Sequence, residues 1–480
     1  MTTRGLAGKV LICVVAAILA LSTHPGSAFA APPPAGNLET MSLEDLMNIP
    51  VYSVSRKLQR IQDSAAAVFV ITGEDIRRSG ATSIPEALRM AQGIDVARVD
   101  GNKWAITSRG FNSLFANKLL VLIDGRSVYT PLFSGVFWDV QDTLLEDVDR
   151  IEVIRGPGAA LWGANAVNGI INILTKTAKQ SQGGLLTAGA GNVERGFGAA
   201  RVGGKRGDAL FYKAYAKYFN RDGGLDAHGN KGSDQWDLLH GGFRVEWEPP
   251  ERDLFNVQGD IYEGKVGQVL TALDLSSPSF TRTFGERSDV SGGNVLGRWT
   301  RKLTNGSEFR LQAYYDRTGR LIEEARLSQD IYDVDFQHRF RAGERQDILW
   351  GLGVRMSRDH IEGGTMVVRD PIRSHDHMFS GFLQDEIDLL PHLVRLTLGT
   401  KVEYNQHSDF EFQPKARLIW TPNPHHSLWA AVSRAIRTSS RVDRDISVDI
   451  VVLPAGAPGN PFPAPLLVTV KGNTLSLIHI

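Results

Sequence analysis

From Lys179 onward the chain alternates apolar and polar residues in segments of about ten, and this pattern limits the fold more than any other feature. In "LFYKAYAKYF", Leu210, Tyr212, Ala214, Ala216 and Tyr218 share one face, while Lys213 and Lys217 point to the other. "FRLQAYYDR" sets Phe309, Leu311, Ala313 and Tyr315 against Arg310, Gln312 and Asp316. "RLTLGTKVEY" sets Leu396, Leu398, Val402 and Tyr404 against Arg395, Lys401 and Glu403. Similar runs recur near 236–248, 254–262, 294–302, 332–340, 347–357, 377–388, 411–420 and 427–435, with polar Gly/Asp/Asn turns between them. Strand side chains point alternately to opposite faces, so each run reads as a strand with one apolar side. Two folds satisfy this. A membrane barrel turns the apolar side out to lipid; a soluble sandwich turns it inward.

The amino-terminal end favours the barrel. Arg4 and Lys9 precede the short apolar core "VLICVVAAILAL", and "AFA" at 28–30 fits a small-x-small cleavage site, so residues 1–30 read as an export signal. The apolar run is well short of the ~20 residues a spanning helix needs, and "HPGSAFAAPPPAG" follows at once, which disfavours a membrane anchor. Cys13 is the sole cysteine, and it sits too far up the apolar core for a lipid-modified residue. A chain cleaved after Ala30 therefore carries no thiol, which excludes disulfides, thiol catalysis and cysteine metal sites. No later stretch could form a spanning helix. A mature chain resident in a membrane must then be a closed β-barrel, the other structure that satisfies every backbone group in lipid. The 53 basic and 53 acidic residues cancel, so no global field argues for nucleic acid.

Ahead of the alternating runs the texture differs. Residues 31–56 combine a Pro-rich start, a short amphipathic piece and an extended piece after Pro50. Residues 57–178 read as a compact mixed domain. "AAVFVITGEDIRRSG" is a strand and then a helix start capped by Thr72 ahead of Glu74 and Asp75. "SIPEALRMAQG" is a short helix with Pro85 in its first turn and Gly93 past its end. "WAITSRGF", "LLVLIDG" and "RIEVIRG" are short apolar strands punctuated by glycine.

The last of these opens "IEVIRGPGAALWGANAVNGIINILTK", residues 151–176. Its glycines invite a phosphate-binding reading, which fails on two counts. The lysine and Ser/Thr of a P-loop are absent, and the β-branched "IINILTK" after Gly169 is a strand, so there is no helix N-terminus to hold phosphate. Glycine and asparagine here permit sharp strand reversals with positive φ.

This stretch resembles the signature that closes the plug domain of TonB-dependent outer-membrane receptors. The order of 60–176 matches as well. "AAVFVITGEDIRRSGATSIPEALRMAQGIDV" resembles the plug's opening strand and helices, with Gln92 where proline is usual. "ITSRGFN" and "LLVLIDGRSVYTP" resemble its next strands, and "SRAIRTSSR" at 433–441 resembles a segment of the barrel. The resemblance implies an α+β plug domain (57–178) followed by a membrane-spanning antiparallel β-barrel (179–480) of ~22 strands enclosing it. It implies that Arg155, Gly156, Pro157, Gly163, Asn165, Asn168 and Gly169 serve plug folding and seating, and that Arg109, Arg155 and Glu152 meet opposite charges on the inner wall or tie plug strands together. The outward loops would be "FNSLFANK" and "YTPLFSGVFWD", with Phe111, Asn112, Tyr129, Phe133, Phe137 and Trp138 facing ligand or packing in the plug core.

The family draws energy through a short extended segment that pairs with the inner-membrane-energised TonB protein. Within the energy-coupling segment 31–56, Val51, Tyr52, Ser53, Val54 and Ser55 are the candidate stretch, although they depart from the usual acidic-Thr-x-x-Val pattern. The implied partners are TonB, the outer-membrane bilayer and a ferric siderophore, with cobalamin and other bulky nutrients behind. The implied location is the outer membrane. The leader is too short for an extra periplasmic signalling domain.

"HDH" (375–377) and "PHH" (424–426) read as loop residues without a companion carboxylate at ligand spacing, so no metal is expected. No G-x-S-x-G, HExxH or P-loop is present, and neither an enzyme activity nor a cofactor is expected. Residues 183–480 hold roughly a dozen alternating segments against the ~22 strands that enclose a plug. The last thirty or so residues also lack strict alternation, so the barrel reads as truncated and the chain as a fragment. The alternative to an energised receptor is a passive barrel or surface-binding protein.

Overall fold

The computed structural model describes residues 49–473 apart from 111, 226–227, 251, 275–276, 278–279, 323–324, 363–366, 370 and 424. The expected export signal, and the expected energy-coupling segment up to residue 48, lie outside these.

The first region is built on a five-stranded sheet in the spatial order Ala67–Thr72, Val148–Arg155, Gly169–Thr175, Leu119–Ile123, Arg126–Ser127. Neighbours are antiparallel except Leu119–Ile123 with Gly169–Thr175, which run parallel. The sheet is covered on both faces, so Leu119–Ile123 and most of Ala67–Thr72 read as apolar runs rather than alternating ones. On one face Leu119, Val121, Ile151, Val153, Ile171 and Ile173 pack under Ile76 and Ile84 of the helices Gly73–Ser79 and Ile84–Leu88. On the other, Val70, Leu120, Leu122, Ile154 and Ile170 pack against Val51 and Val54. Thr72 caps the first helix as expected: its hydroxyl accepts from Asp75 N while Asp75 reaches back to the Thr72 N–H. The second helix ends at Leu88, short of Gly93, which takes a positive φ of 79° at the following turn.

The second region is a sheet of thirteen strands, each antiparallel to the next in chain order, from Gly183–Gly189 to His426–Ser433. Its strands outrun the segments legible in sequence. Asp253–Leu273 and Thr281–Lys302 are 21 and 22 residues long, and the alternating runs 254–262 and 294–302 mark only one end of each. The glycine-rich strands Gly183–Gly189 and Glu194–Arg206 were not among those runs, because glycine has no side chain to mark a face. Connections at one end are tight turns, as at 303–307 and 343–345, while those at the other end include longer ones, such as 222–235, beside short ones such as 406–408. Long connections thus fall at one end only, as the outer loops of membrane barrels do.

The direction of the apolar face separates the two folds the sequence left open. Leu352, Leu383 and Val432 are 58%, 52% and 71% exposed on the outside, whereas Glu403 and Gln413 on the inside are 2% and 0% exposed. Polar side chains are buried against the first region and apolar ones are bare, the inverse of a soluble sandwich. Trp247, Phe255 and Trp299 stack at 5.2 and 6.2 Å near the tight-turn end, where a barrel carries its interfacial aromatics. Among the described residues no helix is long and apolar enough to cross a membrane.

Candidate functional site

The first region meets the wall through several sets of contacts, and the first is an N-terminal strap. Pro50–Val51 pairs with Gln59–Arg60, so residues 52–58 form a loop laid across one face of the sheet. Within it, Tyr52 N and Ser53 N donate to the Glu152 carboxylate at 3.0 and 2.8 Å, and Ser53 Oγ donates to it at 2.6 Å. Asn172 Nδ2 donates to Ser53 Oγ and Trp162 Nε1 to the Ser53 carbonyl, each at 2.8 Å. Ser55 Oγ donates to Gln59 Oε1 at 2.9 Å. The same loop reaches the wall. Arg310 donates to the Tyr52 hydroxyl, Arg56 pairs with Asp335 at 3.0 Å, and Lys57 pairs with Asp347 at 2.7 Å and Glu386 at 2.6 Å. The Arg56 guanidinium also lies over the Trp162 and Phe382 rings, 4.5 and 4.9 Å from their centroids.

The second set reverses the signs. Asp139, Asp142 and Asp147 of the first region face Arg320, Lys217, and Arg201 with Lys213 on the wall. Wall bases thus meet plug acids on one side, and wall acids meet strap bases on the other. That pattern fixes the rotation of one body inside the other, since a turned plug would set like charges together. The hairpin Ile94–Arg98/Trp104–Ser108 adds a third contact. Gly101 N donates to Asp234 at 2.5 Å, Asn102 Nδ2 donates to the carbonyls of Asp234 and Gly267, and Trp104 meets Trp236 edge-on at 6.0 Å.

The glycine-rich stretch supplies part of the seat. A Cβ on Gly163, whose φ is 90°, would lie 2.3 Å from Glu403 Oε1, and Ala164 N donates to Glu403 at 2.7 Å. Asn165 (φ 75°) exchanges hydrogen bonds of 3.0 Å with Thr438, and its N–H donates to the Ile436 carbonyl. The Pro157 carbonyl accepts from Arg417 at 3.5 Å. Gly156, Asn168 and Gly169 act inside the first region: Gly156 N donates to Asn168 O, Asn168 Nδ2 donates to Ser108 O, and Gly169 has no room for a Cβ beside the Ile154 carbonyl.

Arg109, Arg155 and Glu152 do not reach charges on the wall among the described residues. Glu152 is fully buried between the strap and Arg150, the Arg155 side chain lies against Gly93, and the Arg109 guanidinium lies beside Gly156. Charges that do bridge the two bodies lie elsewhere, on Asp139, Asp142, Asp147, Arg56 and Lys57, on Arg126, which pairs with Asp316 of the wall, and on Asp124, which lies 3.7 Å from Arg244. Phe111 lies outside the described residues. Asn112 is exposed and donates to the Ala105 carbonyl, but Tyr129, Phe133 and Trp138 are buried. Phe133 is wedged edge-on between Phe115 and Phe137, and Arg320 sits 4.0 Å over the Phe137 ring. "HDH" lies within the strand Arg373–Leu390 rather than in a connection, and Asp376 there accepts from His407 at 2.9 Å.

Between the plug sheet and the wall runs a cavity of about 520 Å³, lined from Tyr129 and Ser134 near the outer loops to Thr177 and Gln180 near the tight turns. Asp124 lies on its plug side. Burial works against the charge on this carboxyl, but Arg244 and hydrogen bonds from Thr175 and Gln258 outweigh it and hold Asp124 below the ordinary aspartate value.

Two family models account for these two bodies: the TonB-dependent receptor plug domain matches residues 60–170, and the TonB-dependent receptor-like β-barrel matches 174–476. The chain belongs to the TonB-dependent receptors. It is a protein of the outer membrane and not an enzyme. A vitamin B12 transporter (BtuB) of Vibrio cholerae is 33% identical over 144 residues, 30% of this chain and 23% of the relative. An iron-regulated outer membrane virulence protein of the same species is 26% identical over 396 residues, 79% of this chain and 58% of that one. The receptor thus spans less than two thirds of the length of either relative. In fold it is similar to the ferric enterobactin receptor PfeA of Pseudomonas aeruginosa, with a TM-score of 0.67 at 17% identity over 85% of this chain and 67% of that one.

Proposed function

We propose that this receptor takes up a scarce, bulky solute across the outer membrane, with ferric siderophores first and cobalamin next as substrate class, and that energy reaches it from TonB. The observation that carries this reading is a polar-lined wall whose interior is filled by a plug held on two sides by opposed charge patterns. A filled lumen with buried ion pairs does not open by thermal motion at useful rates, and the outer membrane holds neither ATP nor an ion gradient. Work has to arrive through a partner. Val51 to Ser55 remain the candidate pairing stretch. Because Tyr52 and Ser53 already give their N–H groups to Glu152, this stretch has to leave its seat before it can add as a strand to another chain. The names of the relatives, a vitamin B12 transporter and a ferric enterobactin receptor, support a bulky nutrient and leave the choice between them open.

Deletion of residues 49–56 is expected to abolish uptake while surface binding persists; uptake at normal rates overturns the reading. The buried strap also suits a passive barrel in which 51–55 is purely structural. Co-purification with a TonB C-terminal domain separates the two, since a passive barrel does not retain it.

A further inference from the structure

We infer that the cavity between plug and wall contains a site for an oxyanion, formed by Arg298 and Arg310 and filled at rest by the Tyr52 hydroxyl. The ligand class is a carboxylate or phosphate group carried by the solute, and on that one point the inference rests on the transporter reading above.

The other cations lining this cavity are matched closely. Arg56 pairs with Asp335 at 3.0 Å, Arg150 with Asp149 at 2.5 Å, Arg244 with Glu246 at 2.7 Å, Arg355 with Asp333 at 2.8 Å and Lys401 with Glu403 at 3.3 Å. Arg298 and Arg310 differ. Arg298 donates to the Asp124 backbone carbonyl and to Gln312 Oε1, both neutral, and has no carboxylate partner among the described residues. Arg310 donates to the Tyr52 hydroxyl, lies 5.1 Å from that ring's centroid and has its carboxylate, Glu308, no closer than 3.6 Å. Its Nε is buried without an acceptor.

Strand register sets the two side by side. Thr300 pairs with Arg310 and Arg298 with Gln312, so the arginines are diagonal neighbours on the inner face, ~7–8 Å apart across the two strands. Guanidinium forks at that spacing converge on one tetrahedral or planar oxyanion. Two half-buried cations, one bound only to neutral acceptors and the other with its carboxylate no closer than 3.6 Å, favour an anion there. The Tyr52 oxygen supplies the acceptor in its place. Tyr52 belongs to the strap anchored on Glu152, so strap and anion compete for Arg310: withdrawing the strap bares the site, and filling the site weakens the strap.

The test uses the full chain in detergent with tungstate as probe, soaked into crystals at constant ionic strength. Tyr52→Phe removes the hydroxyl and keeps the ring. An anomalous peak between Arg298 and Arg310 is expected in Tyr52→Phe, weaker in the unaltered protein, and lost in Arg298→Gln and in Arg310→Gln. Tungstate at surface arginines alone, or a central peak that survives both Gln substitutions, overturns the inference. In solution, inorganic phosphate should raise the Tm of Tyr52→Phe more than that of the unaltered protein, a comparison that needs no arginine variant; equal shifts overturn it as well. Neither measurement involves TonB or uptake, so a failed deletion assay would sink the transporter reading and leave this site separately decided.

Discussion

The Glu152 carboxylate accepts the backbone N–H of Ser53 at 2.8 Å, from 99 positions away in sequence. With Tyr52 N and Ser53 Oγ on the same carboxylate, one buried side chain on the plug sheet holds the strap by three donors. Hydrogen bonds to a charged group contribute about 1.5–3 kcal/mol each, and a buried donor left unpaired is costly. Glu152→Ala is therefore expected to raise amide exchange at Tyr52 and Ser53 by on the order of tenfold or more, with Glu152→Gln intermediate because it keeps one acceptor oxygen. Hydrogen exchange by mass spectrometry checks this; unchanged protection at both amides would contradict the clasp.

Gly163 marks a close approach of plug backbone to wall. A methyl there meets Glu403 Oε1 at 2.3 Å and Lys401 Nζ at 2.9 Å, at a φ of 90° that side chains avoid. Gly163→Ala should destabilise the seated plug by about 1–3 kcal/mol. Adding Glu403→Ala should recover the steric part of that loss and leave the backbone part. Thermal unfolding of the single and double variants reads both.

Asp147 stands between two wall cations, Arg201 and Lys213, and its side chain is buried. Removing it strands both charges, so Asp147→Ala should cost about 3–5 kcal/mol. The loss should shrink when Lys213→Met is introduced as well, and a double-mutant cycle isolates that coupling. Additive effects would show that the pair does not hold plug to wall.

How much of this was legible in sequence depends on range. The inward lysines of "LFYKAYAKYF" are where the pattern put them, and Lys213 and Lys217 are buried or nearly so against Asp147 and Asp142. Their partners were not found, because each lies tens of residues away in a loop whose own pattern is unremarked. An inward lysine nonetheless demands a buried acid, and the acids of "WDVQDTLLEDVD" are the available supply. The glycine-rich stretch was legible as a turn-former, and Gly163 and Asn165 have the positive φ that it implied. Arg109 and Arg155 were expected to meet either the wall or the plug's own strands, and sequence could not distinguish these. Charge pairing across two bodies depends on strand tilt and rotation, which no local period encodes.

Acid should loosen the contact at Asp124. Its folded pKa lies below the unfolded value, so its stabilisation is complete above about pH 4 and is lost as pH falls through the folded value. Asp124→Asn should lower Tm at neutral pH and flatten the acid limb of a Tm profile between about pH 7 and pH 3. Profiles that fall in parallel would contradict the assignment of that carboxylate's charge to Arg244 and the Thr175 donors.

The central claim, that a TonB-driven strap opens a plug seated in this wall, is tested most directly by labelled-solute uptake in cells carrying the gene, with and without TonB. Ferric enterobactin and cobalamin serve as the probes. The account predicts that uptake of one of them is lost both without TonB and on deletion of residues 49–56, while surface binding is retained in each case. Uptake that continues at the same rate without TonB would contradict it.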